Sequence, residues 1–169
     1  MKQRQKLLTE EQWELVEAML PPPQRRRDNR GRPWAIPNLL RARIAANEAS
    51  AVASVHTVNT SQITYNSSYS TVGFASSLTN LAGTSCAPPS SAGACLIDTQ
   101  LAGGTKSGYS FGISGTTGTP VATYQIIAAP ISPNQSGVRY FCSFADAVVR
   151  FNPTPAIAAC NYSVSPLNQ

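Results

Sequence analysis

The chain has 169 residues, of which 42% are hydrophobic and only 12% are charged. This composition indicates a folded domain with one core and many loops, and it argues against a disordered protein. The net charge of +5 suggests a nucleic-acid partner, but residues 1–33 carry eight of the thirteen Lys and Arg residues, so the rest of the chain is close to neutral.

The first predicted element is a short amphipathic helix near the N-terminus. Thr9 and Gln12 fit a capping box, ahead of Trp13 and further apolar residues at helical spacing up to Leu20. Prolines follow at once, and the segment QRRRDNRGRP at 24–33 has no apolar residue to bury, so we predict a flexible basic linker. Its arginines could neutralise phosphates in a salt-sensitive, sequence-independent way. These possible nucleic-acid contacts are Arg25, Arg26, Arg27, Arg30 and Arg32.

The second predicted element is a long, alanine-rich helix from about Pro37 to Ile63. Apolar residues fall on one arc at about 100° per residue, which predicts a face that packs on another layer. Glu48 and Asn59 interrupt this arc, and the many small residues would permit close approach of a neighbouring surface. The predicted packing face consists of Leu40, Ile44, Ala51, Val52, Val55 and Val58.

The second half of the chain has the pattern of a loop followed by a sheet. Residues Asn66 to Lys106 form a predicted structured loop, in which the apolar groups at 78–81 and 96–101 are long enough only for single helical turns or a strand. The last two predicted strands flank Ala145 and Asp146 and favour a hairpin. The predicted strands are Gly108 to Ile113, Val121 to Ala128, Val138 to Phe144 and Ala147 to Phe151. We therefore predict an α+β domain with the helix on an antiparallel sheet of about four strands.

The four cysteines fall as two short-range pairs in turn-rich segments, which is typical of secreted disulfide domains. Of the three possible connectivities we predict the local one, Cys86 with Cys95 and Cys142 with Cys160. The alternative is four free thiols in a reducing cytosol. Because no Cys-x-x-Cys spacing occurs and His56 is the single histidine, we expect no metal site and no cofactor.

The remaining chemical patterns are weak. His56 could act as a base and Cys142 as a nucleophile, but no motif links them, and a histidine on the helix surface is the simpler interpretation. The segment 103–107 has the glycines, lysine and serine of a phosphate loop in the wrong order and spacing, so a turn into a strand is predicted instead. We therefore expect no enzymatic activity.

The stretch AIPNLLRARIAANEASAVASVHTVNTSQITY at 35–65 is similar to the helix of type IV pilins and type II secretion pseudopilins, just after its membrane-embedded part. Pro37 matches the kink of that helix, and 38–46 resembles the charged start of its exposed half. The segments KSGY at 106–109 and GVRYF at 137–141 resemble strands of the same family. The resemblance implies a helix-plus-sheet subunit that packs with other pilin-like subunits into an extracellular or periplasmic filament.

The segment LTEEQWELVEAMLPPPQRRRDNRGRPW at 8–34 resembles the N-terminus of insertion-sequence transposases of the DDE type. We therefore divide the chain into a transposase-like part, 1–34, and a pilin-like domain, 35–169. The apolar prepilin start is replaced by a charged linker, so we expect no membrane span, no export signal, a cytoplasmic location as encoded, and defective assembly. The alternative function is a DNA-binding remnant of a transposase.

Overall fold

A long helix, α1, spans Ala35–Ser68 in the computed structural model of the chain, which describes residues 35–83, 88–152 and 165–167. The helix continues past its predicted end at Ile63. Pro37 falls in the first turn, where a missing backbone N–H removes no intrahelical hydrogen bond. Several Ser and Thr hydroxyls of α1 donate to carbonyls one turn earlier, as Thr57 does to Ala53 at 3.0 Å, so these polar groups are satisfied within the helix.

Contacts between residues divide the chain into two units, Met1–Leu39 and Leu40–Gln169. The described part of the first unit is the start of α1, residues 35–39. The predicted short helix and basic linker lie outside the described residues. The second unit holds the rest of α1, two single-turn helices and a sheet. Among the residues that the structure describes, no helix has an apolar stretch long enough to cross a membrane.

Two single helical turns follow α1, as the short apolar groups of the predicted loop allow. Helix α2 spans Leu78–Leu81 and helix α3 spans Thr99–Ala102. Asp98 caps α3, because its carboxylate accepts a hydrogen bond from the backbone N–H of Leu101 at 2.8 Å. Leu81 and Leu101 are completely buried, so each turn adds one large apolar side chain to the core.

The sheet has five strands in sequence order, and every neighbouring pair is antiparallel. Its strands are β1 (Thr105–Lys106), β2 (Tyr109–Thr117), β3 (Thr123–Pro130), β4 (Tyr140–Phe144) and β5 (Arg150–Asn152). The predicted α+β class is confirmed, with one strand more than expected. The missed strand, β1, has two residues, which is too short to show a period of two.

All four predicted strands start one to three residues too early, and polar groups explain the differences at β4 and β5. The strand predicted from Val138 begins at Tyr140, because the N–H groups of Val138 and Arg139 bind the carboxylate of Glu48 instead of a strand. The strand predicted from Ala147 begins at Arg150, because a turn intervenes in which Ala147 has a φ of 58°. In this turn Val148 N–H donates to the Asp146 carboxylate at 3.1 Å.

The core lies between α1 and one face of the sheet. Alternate residues of β2 and β3 point toward the helix, and this side is lined with aromatic and β-branched residues. The members from the helix are Ala51, Val55, Val58 and Tyr65, and those from the sheet are Tyr109, Phe111, Tyr124, Ile126, Ala128 and Phe141. The helix contributes to this core from Ala51 to Tyr65. Burial of the apolar side chains of both layers stabilises the packing of α1 on the sheet.

Candidate functional site: the long helix and its anchors

The predicted packing face of α1 is covered along only part of its length. Ala51, Val55 and Val58 are buried, and Val52 is partly buried against the core. Leu40, at the start of the same arc, is 39% exposed. The predicted face is therefore buried in its middle and end, half-buried at Ile44 and exposed at Leu40.

Glu48 marks the point where the covered part of the helix begins. It is 6% exposed, and one carboxylate oxygen accepts the backbone N–H groups of Val138 at 3.0 Å and Arg139 at 3.1 Å. The other oxygen accepts Nε of Arg139 at 2.8 Å and lies 2.7 Å from its Nη2. We refer to this set of bonds between Glu48, Val138 and Arg139 as the carboxylate clamp.

The clamp determines the charge state of Glu48. Burial by itself raises the pKa of a carboxyl group, because it penalises the charged form. In Glu48 the two backbone N–H groups and the Arg139 guanidinium outweigh this penalty and hold the pKa below its ordinary value. Glu48 is therefore charged at neutral pH, and its negative charge is compensated within the clamp.

Asn59 forms a second anchor, about three helical turns further along α1. Its amide nitrogen donates to Ser143 Oγ at 2.9 Å and to the Ala147 carbonyl at 3.2 Å. Its amide oxygen accepts the Tyr124 hydroxyl at 3.2 Å. Burial raises the pKa of Tyr124 to about 12, so this hydroxyl keeps its proton and can donate. Asn59 thus connects α1 to both β3 and β4.

Gln62 forms a third anchor, one turn beyond Asn59. Its amide nitrogen donates to the Ala75 carbonyl at 2.9 Å, and its amide oxygen accepts the Ala75 N–H at 2.8 Å. Gln62 is completely buried. The side chain therefore satisfies both backbone groups of a residue in the loop after α1, as a neighbouring strand would.

These anchors are polar contacts that the sequence pattern did not identify. Glu48 and Asn59 appear in the sequence only as interruptions of the apolar arc, and Gln62 lies near the predicted helix end. Buried polar groups need partners, so a polar residue on a predicted packing face is a usable signal that a directional contact exists there. Because hydrogen bonds form only within a narrow range of distances and angles, the anchors fix the rotation and the register of α1 on the sheet.

The start of α1 has a different surface. Leu40, Arg41, Arg43 and the alanines at 42, 45 and 46 are exposed, whereas Ile44 is half-buried. This segment precedes the first anchor, and Ile44 is its one half-buried residue. It is an open helical surface with two arginines and an apolar ridge.

Both described cysteines are oxidised. Cys95 and Cys142 are disulfide-bonded, so they are not the free thiols of the alternative prediction. Their predicted partners, Cys86 and Cys160, lie outside the described residues, and the pairing stays a prediction. A methyl group on Gly83 would meet the Cys95 sulfur, so the chain passes close to this bond.

Other predicted site residues are distributed as follows. His56 is half-buried on α1, where its carbonyl accepts the Thr60 hydroxyl at 3.1 Å. The segment 103–107 forms a turn into β1, as predicted, and Lys106 pairs with Asp98 at 2.8 Å. The five arginines proposed to contact nucleic acid lie outside the described residues. Within the described ranges, no three His, Cys, Asp or Glu side chains group together as metal ligands would.

Among known proteins, no protein-family model, no curated protein and no solved structure matches this chain. A function is therefore inferred from the geometry of the helix and from the resemblance of the sequence segments described above.

Proposed function

We propose that residues 35–169 form a non-enzymatic, pilin-like filament-subunit domain that associates through the open start of α1. The observation that carries this proposal is the continuity of one helical face. The arc that is buried from Ala51 to Gln62 continues through Ile44, which is half-buried, to Leu40, which is 39% exposed. A helix that packs on its own sheet with one part and offers the other part to a neighbour has the form needed for a subunit.

The anchors support this proposal physically. An exposed helical segment keeps a defined orientation relative to its domain only if the buried segment of the same helix cannot rotate or slide on the sheet. The carboxylate clamp and Asn59 hold α1 by charge-assisted and buried hydrogen bonds, which are directional. The anchors therefore hold the covered part of α1 in place, and the exposed segment that we propose as the contact surface continues directly from it.

The disulfides are consistent with the same role. Oxidised Cys95 and Cys142 suit a domain that matures in an oxidising compartment, as secreted filament subunits do. The resemblance of 35–65 to pilin helices points in the same direction. For the transposase-related alternative, the candidate arginines lie outside the described residues, and no described contact favours it.

A grafting experiment tests the proposed function. A prepilin leader and apolar half-helix from a piliated host are placed before Ala35, and the chimera is expressed in that host. We expect the chimera in the sheared filament fraction. The matched variant L40Q/I44Q should be oxidised and protease-resistant, and absent from filaments. A folded, membrane-held chimera that never enters the filament fraction would contradict the proposal.

A further inference from the structure

The connection between β3 and β4 covers the hydroxyl end of Tyr109. We refer to residues 132–139 of this connection as the strap. Tyr109 is completely buried, and its hydroxyl donates to the Arg139 carbonyl at 2.8 Å. A methyl group on Gly137 would clash with the Tyr109 hydroxyl oxygen, so the strap lies directly on this end of the side chain.

Two side chains of α1 hold the strap by hydrogen bonds among the described residues. Asn47 Nδ2 donates to the Ser136 carbonyl at 2.8 Å. Glu48 accepts the other bonds, which are the contacts of the carboxylate clamp with Val138 and Arg139. The attachment of the strap to α1 therefore depends mainly on the charge of one carboxylate.

The strap is closed by its own hydrogen bonds and adds little apolar packing. Asn134 N–H donates to the Gly137 carbonyl at 2.8 Å, and Ser136 N–H donates to the Ser132 carbonyl at 2.8 Å. All residues of the strap are described, and none of them belongs to the hydrophobic core. Strand β4 begins only after the strap. A segment with so few buried apolar contacts can open locally, without unpairing of the sheet.

Protonation of Glu48 removes the attraction that holds the strap. All four contacts of the carboxylate are with donors, namely two backbone N–H groups and two nitrogens of the Arg139 guanidinium. A proton on this carboxyl group would face a donor, and Glu48 is too buried to donate it freely to water. The other titratable group described near Glu48 is Tyr109. Burial raises the pKa of Tyr109, so it stays neutral and does not replace the lost charge.

We propose that protonation of Glu48 releases the strap from α1 while helix and sheet stay packed, and that the release exposes the hydroxyl end of Tyr109. This inference goes beyond the proposed function, because it concerns a conformational change within one folded domain. The clamp lowers the folded-state pKa of Glu48, so the release occurs in acid, below the ordinary carboxyl range.

Hydroxyl-radical footprinting of the full chain, measured by peptide mass spectrometry, tests the inference. Tyr124 is the matched reference, because it is a second buried core tyrosine and makes no hydrogen bond to the strap. Below the ordinary carboxyl range, oxidation of Tyr109 should rise at least about 10-fold relative to oxidation of Tyr124. E48Q should show the same rise at neutral pH, whereas D98N should behave there as the unmodified chain does.

Each other result counts against the inference. An equal rise at Tyr109 and Tyr124 in acid would mean that the whole domain opens, and it would overturn the proposed local release. Continued protection of Tyr109 in acid, or in folded E48Q, would overturn it as well, as would a rise in D98N at neutral pH. If circular dichroism shows that E48Q is unfolded at neutral pH, the acid comparison in the unmodified chain decides.

Discussion

Replacing Glu48 by Gln should destabilise the domain far more than a typical loss of a surface charge. The introduced amide could still accept the N–H groups of Val138 and Arg139, but its NH2 group would face the Arg139 guanidinium, donor against donor. Hydrogen bonds to charged groups contribute about 1.5–3 kcal/mol each. Because Arg139 is 42% exposed, solvent screens part of the attraction. We therefore expect a loss of about 2–3 kcal/mol in the free energy of unfolding.

Urea denaturation with intact disulfides measures this loss, and pH identifies its cause. The folded-state pKa of Glu48 is lowered, so its contribution is present above the ordinary carboxyl pKa and disappears as pH falls through the folded value. The difference between the unmodified chain and E48Q should therefore be largest at neutral pH. It should shrink in acid, below the ordinary carboxyl range.

The matched control is D98N. Asp98 pairs with Lys106 at the surface, and Asn keeps the acceptor that caps α3 while losing the charge. We expect D98N to lower the free energy of unfolding by about 0–1 kcal/mol. If E48Q lowers it no more than D98N does, or if its effect is independent of pH, the reasoning about the clamp is refuted.

The remaining predictions concern packing and covalent links. L81A should lower the free energy of unfolding by about 2–5 kcal/mol, because Leu81 is completely buried, whereas L40A should change it by no more than about 0.5 kcal/mol. Equal effects in urea denaturation would show that Leu40 is covered. G137A should cost about 1–3 kcal/mol, because its methyl group would clash with the hydroxyl oxygen and two ring carbons of the buried Tyr109. Non-reducing peptide mapping should find Cys86 linked to Cys95 and Cys142 linked to Cys160, and a Cys86–Cys160 link would contradict the predicted loops. Any binding of the full chain to DNA should be independent of sequence and should weaken steeply with salt, so tight sequence-selective retention in a gel shift would favour the transposase-related alternative.

Periodicity was sufficient to predict the elements with strong, regular patterns. The long helix, four of the five strands and the pairing of β4 with β5 follow from apolar spacing and turn residues, because burial on one face imposes those patterns on the chain. Strand β1 is too short to carry a pattern. Its two residues pair with β2 because Gly104 and Gly108, with φ values of 75° and 76°, turn the chain on either side.

The anchors could not be located from one sequence, because their partners are far away along the chain. Glu48 binds residues 90 and 91 positions later, and Asn59 binds Ser143 at a separation of 84. Local propensity contains no information on such pairs. Apolar spacing also does not show which part of the arc is buried. Leu40 and Val55 fit the same helical period, but Val55 is completely buried and Leu40 is exposed.

We propose above all that the exposed start of α1 is the surface that contacts a neighbouring subunit in a filament. A photo-reactive benzoylphenylalanine at position 40 of the grafted chimera tests it most directly, with position 119 at the exposed tip between β2 and β3 as the control. We predict that illumination of sheared filaments gives adducts to a neighbouring subunit from position 40 and none from position 119. Filaments that contain the chimera but give no adduct from position 40 would contradict the claim.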